Sequence, residues 1–159
     1  AGLARATGRG WAGGDELGKV VHVDAGGARV VEAGGGDVEG RGGSCGLGRG
    51  QLRALVGDGS AIDEAASRSE FRYAATPDQF LTIAKLRAAR RLWQRVMSVA
   101  GASESAQRQR QHAVSSAAAT ARYDVWVNLL RSTVASFGAG VGGASVGVVE
   151  ASVGCMARV

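Results

Sequence analysis

Aromatic residues are scarce in this 159-residue chain: three tryptophans, two tyrosines and three phenylalanines make up 5% of it. Base-stacking platforms of single-stranded RNA or DNA binders need aromatics set among basic residues, and no such module is spelled here. This argues against nucleic acid as a partner despite a net charge of +5. Histidine is rarer still. His22 and His112 have no cysteine or acid at ligand spacing beside them, which argues against a metal centre. Two cysteines, Cys45 and Cys155, lie far apart outside any C-x-x-C pattern and read as incidental thiols of a cytoplasmic protein. A single proline, Pro77, excludes a proline-rich stalk. Long apolar runs are missing too. No signal-peptide h-region is visible at the N-terminus. The uncharged stretch "STVASFGAGVGGASVGVV" (132–149) is so rich in glycine and serine that it reads as a helix end, a turn and a strand, not a membrane span.

What the chain has in excess is glycine, 26 residues, most of them before residue 60. Each one ordered inside a helix or strand costs about 0.5–1 kcal/mol relative to alanine. Residues 1–59 accordingly show no sustained helical or strand period. Val20–Val23 and Arg29–Val31 are two β-like runs around Ala25-Gly26-Gly27, compatible with a weak hairpin. "GRGGSCGLGRG" (40–50) reads as a flexible or disordered loop.

From about residue 51 the pattern sharpens. Ala61–Ser67 has helix formers, and "EFRYA" (70–74) is a short strand. Thr76-Pro77-Asp78-Gln79 supplies an N-cap hydroxyl, a proline at the first helical position and a capping box closed by Gln79. Leu81, Ala84, Ala88, Leu92, Val96 and Val99 form one apolar stripe, widened by Leu86, Ala89 and Trp93. Arg87, Arg90, Arg91 and Gln94 gather opposite, and Gly101 ends the helix. "QHAV" (111–114) is the next strand. Asp124 caps a second long helix with the stripe Trp126, Leu130, Val134 and Phe137, stopped by Gly138 and Gly140. "SVGVV" (145–149) is a third strand. Strand, helix, strand, helix, strand is the signature of parallel βαβ units.

Gly138 to Gly143 spells G-x-G-x-x-G, but it closes a helix and precedes a strand. A dinucleotide site needs those glycines after a strand, at a helix N-terminus, so the match carries no cofactor. The cluster Arg87, Arg90, Arg91 could grip phosphate, although a solvated helix face explains it as well. His112 sits in or at the end of a strand, where α/β proteins place ligands.

Residues 62–149 carry a family resemblance. "IAKLRAARRLW", "YDVWVNLLRST" and "GVGGA" closely resemble the acyl-CoA-binding domain of methylmalonyl-CoA mutases, most of all the small, non-catalytic subunit of bacterial heterodimeric enzymes. The resemblance implies an α/β chain that is a fragment of a (β/α)8 TIM-type barrel, roughly its last three strands with two long helices. Residues 1–59 would be a poorly specified preface, 60–150 the partial barrel, and 151–159 an irregular tail. The family's reaction is the adenosylcobalamin-dependent radical interconversion of methylmalonyl-CoA and succinyl-CoA, a cofactor that a domain or subunit other than this stretch would mainly bind.

Carried over residue by residue, the resemblance implies substrate binding at Arg68, with Glu70 at the position of a serine that contacts coenzyme A. It implies cofactor binding at His112, with Val114 in place of a glutamine. Arg29 takes the place of the catalytic histidine, so no catalytic residue is assigned. The family's apolar helix after Val38 is replaced by glycine and arginine between preserved flanks, a pattern that short frameshifts in a GC-rich gene would produce. An inactive fragment or subunit remnant is expected, poorly soluble alone or ordered only beside a catalytic mutase subunit. The alternative is a small basic module for phosphate-bearing ligands or RNA.

Overall fold

The computed structural model describes residues 23–28, 33–121 and 124–148. Four strands, β1 (Val23–Gly26), β2 (Ser69–Ala75), β3 (Gln111–Ser115) and β4 (Val146–Val148), form one sheet in the order β1-β2-β3-β4. Every pairing is parallel, with Ala25 opposite Phe71, Arg72 opposite His112 and His112 opposite Val146. Among the described residues, helices α1 (Asp37–Gly57), α2 (Ile62–Ser67), α3 (Gln79–Val99) and α4 (Val125–Gly142) are bounded, and a 3-10 turn lies at Ala117–Ala119. The mixed α/β class and the βαβ order stand as read.

The first half departs from the sequence reading. Ala25 and Gly26, the expected turn of a hairpin, are strand, and β1 pairs in parallel with β2 across a long crossover. Arg29, Val30, Val31 and Glu32 lie outside the described residues. The glycine-rich "loop" is also corrected: residues 40–50 lie inside a 21-residue helix. Packing overrides propensity there. Leu52 and Ser44 are buried, and Gly48 sits so close to the core that a Cβ on it would lie 2.7 Å from the Phe71 ring and 3.1 Å from Trp93. The sheet therefore has four described strands and three long helices, rather than three strands and two.

The core lies between the sheet and the helices. Phe71 and Trp93 meet edge to face with centroids 4.5 Å apart, surrounded by Tyr73, Leu86, Met97 and Leu52. The register of α3 is rotated from the expected stripe. Leu86, Ala89, Trp93 and Met97 are buried, whereas Leu81, Leu92 and Val99 are exposed. Two apolar stripes run side by side on this helix, and the one with the bulkiest side chains faces inward. Burying Trp93, Leu86 and Met97 removes the most apolar surface from water.

Helix starts and stops follow local chemistry. Asp78, not Thr76, is the N-cap of α3, accepting from the Leu81 N–H at 3.1 Å. A carboxylate outcompetes a hydroxyl at the positive end of a helix. Thr76 instead meets Thr82, their hydroxyls 3.2 Å apart. Gly101, at φ +78°, closes the helix as expected. Asp124 caps α4 through the Val127 N–H at 3.1 Å.

The inward face of α4 also differs from the expected stripe. Asn128, Ala135, Gly138, Ala139 and Gly142 are buried, and the anticipated core residues Trp126, Leu130 and Phe137 are exposed. The helix passes through Gly138 and Gly140 and stops only at Gly143, in the left-handed conformation at φ +81°. The cause is a close approach of α4 to α3. A Cβ at Gly142 would stand 2.7 Å from the Leu86 side chain, and one at Gly138 would stand 3.3 Å from the Gln79 backbone. Only the small-residue side fits.

Candidate functional site

Strand alternation sorts β2 and β3 into two faces. Phe71, Tyr73 and Ala75 point into the core with Gln111 and Ala113. The intervening residues Glu70, Arg72, His112 and Val114 belong to the face away from the helices, and this face holds the candidate site. Arg72 and His112 are cross-strand partners in register. His112 Nδ1 lies 3.8 Å from a Glu70 carboxylate oxygen, an ion pair whenever the imidazole is protonated. The opposite ring nitrogen, Nε2, is buried and makes no hydrogen bond. Glu70, Arg72 and His112 thus form a polar trio on the sheet.

Arg68 is elsewhere. It is the C-cap of α2, and its guanidinium is bonded to the Glu64 carboxylate one helical turn back. Arg72, not Arg68, is level with His112, and Ser69, Glu70 and Phe71 lie between the two arginines. Of the two residues singled out from the sequence, His112 lies on β3 and Arg68 at the end of α2. Arg72 was missed, although the alternation within "EFRYA" carries the signal: with Phe71 and Tyr73 inward, Arg72 must face the other side. Arg29 lies outside the described residues, as do His22 and Cys155.

Behind the strands, buried polar groups are tied into the core. Gln109 donates to the Tyr73 hydroxyl at 3.1 Å, and Gln111 donates to Gln109 at 2.8 Å and to the Leu86 carbonyl at 2.9 Å. Burial pushes the Tyr73 phenol far above its usual range, and it lifts the Cys45 thiol as well, against an opposing pull from Arg41. Lys85 is buried, donating to the Ala74 carbonyl. Among the described residues no group of three His, Cys, Asp or Glu side chains could hold a metal ion.

A cleft of ≈ 780 Å³ opens at the N-terminal ends of β2 and β3, lined in part by Asp63, Arg90, Glu104 and Arg110. It is at the opposite end of the strands from where parallel sheets bind ligands. Two of its polar side chains are engaged in part: Asp63 accepts from the Ser103 N–H at 3.0 Å, and Arg90 donates to the Gly142 carbonyl while its buried Nε makes no hydrogen bond. Arg90, expected among solvated arginines, thereby braces the C-terminal end of α4, where cations are favoured. Arg87, Arg91 and Gln94 do face outward. No described helix is long and apolar enough to cross a membrane, and 132–148 is the end of α4, its glycine cap and β4.

Residues 14–150 match the family model of methylmalonyl-CoA mutase. The chain is 61% identical over 93 residues to a methylmalonyl-CoA mutase small subunit of Streptomyces virginiae, covering 58% of this chain and 15% of that protein. The small subunit of Propionibacterium freudenreichii subsp. shermanii is 47% identical over 93 residues, again 58% of this chain and 15% of the relative. A probable small subunit of Mycobacterium bovis is 45% identical over 99 residues, 62% of this chain and 16% of that one. The matched region thus spans about 15% of the length of these curated relatives. With the family model extending over most of the sequence, the chain belongs to the methylmalonyl-CoA mutase family.

Proposed function

We propose that the chain is part of the small, non-catalytic subunit of a heterodimeric mutase: a stretch of its acyl-CoA-binding (β/α)8 barrel, inactive by itself, that works beside a catalytic subunit. The observation that carries the non-catalytic reading is the pairing of Glu70 with His112 on the open sheet face. A carboxylate there repels the phosphates of coenzyme A, and it engages the histidine that would otherwise meet the cofactor. Arg68, the proposed coenzyme A contact, would have to leave Glu64 to reach a phosphate. The likeness to proteins named small subunits supports the same assignment.

Adenosylcobalamin, when bound in this family, supplies a carbon radical, and the protein supplies binding, shielding and orientation. The described residues do not fit that group by themselves. On the open sheet face they offer His112 Nε2, a buried nitrogen without a hydrogen bond, near the apolar Val114 and the acidic Glu70. What this chain contributes is structural: a parallel sheet segment with a covered back and a charged front. The test is turnover of methylmalonyl-CoA with added adenosylcobalamin. The chain alone is expected to give none, and it should co-purify with the large mutase chain of the same genome. Turnover by the isolated chain would overturn the proposal.

A further inference from the structure

We draw no further inference here: the strongest candidate, the cleft at the N-terminal ends of β2 and β3 lined in part by Arg90, Arg108 and Arg110, carries nothing, because a phosphate-bearing ligand held by those arginines would restate the acyl-CoA binding of the family.

Discussion

Helices α1 and α3 have the same length, 21 residues, and both pack beside β2, yet they are made of different material. Helix α3 has a carboxylate cap, a left-handed glycine just past its end and a core face of Leu86, Trp93 and Met97. Helix α1 contains seven glycines, begins at a glycine with no side chain to cap it, and buries one large apolar residue, Leu52. At its start the Glu39 carboxylate accepts from the Gly36 N–H at 2.8 Å, which is half of a capping box. The lesson is that a helix can be specified by its own sequence or by what it leans on. Helix α3 has both supports, and α1 has mainly the second. Gly48 is the point of contact, admitting the Phe71 and Trp93 rings to the helix backbone.

This comparison can be broken at its shared centre. Trp93→Ala removes the side chain on which both helices converge and is expected to destabilise by about 3–5 kcal/mol, enough to abolish a cooperative transition in a marginal domain. Denaturant titration monitors it. Gly48→Ala tests the contact from the α1 side. With the rigid rings 2.7 and 3.1 Å from the new methyl, it should cost about 1–3 kcal/mol, the penalty of overpacking. Phe71→Leu in the same background should recover part of that loss by making room.

Capping gives a smaller effect and a sharper contrast. Asp78→Ala should cost about 1 kcal/mol through the lost bond to Leu81, and Thr76→Ala less, because Thr76 is not the cap. Equal losses would restore Thr76 to that role. The smallest change per site is a gain. Gly42, Gly46 and Gly50 have open space where a Cβ would go, so each Gly→Ala change should stabilise by about 0.5–1 kcal/mol. Thermal melts of the triple variant decide this; a loss would mean the glycines serve a close contact.

Much of the second half was legible because its signals are local. Asp124, Gly101 and the alternation of "EFRYA" act within a few residues, and each did what its chemistry dictates. Which stripe of a helix faces inward is not local. It misled twice, on α3 because two apolar stripes are adjacent, and on α4 because the close crossing admits only Gly138 and Gly142. Helix α1 and strand β1 were illegible since glycine erases periodicity and β1 is defined by a partner more than forty residues away. At the candidate site, His112 was found and Glu70 recognised as out of place, while Arg72 emerged only once the strand faces were assigned.

Tyr73 offers a pH handle on the same core. Its phenol titrates higher in the folded chain than unfolded, so the neutral form is favoured by folding. That stabilisation is complete below the unfolded value of about 10 and is lost as pH rises beyond it. Stability should therefore fall above about pH 10, and less steeply in Tyr73→Phe.

The central claim, that α1 is held by its packing and α3 also by its own sequence, is tested most directly by native-state amide hydrogen exchange. The account predicts that amides of α3 and β2 exchange only through global unfolding, while those of α1 exchange through a lower-energy local opening that Gly→Ala changes at 42, 46 and 50 suppress. Protection of α1 equal to that of α3 in the unmodified chain would contradict it.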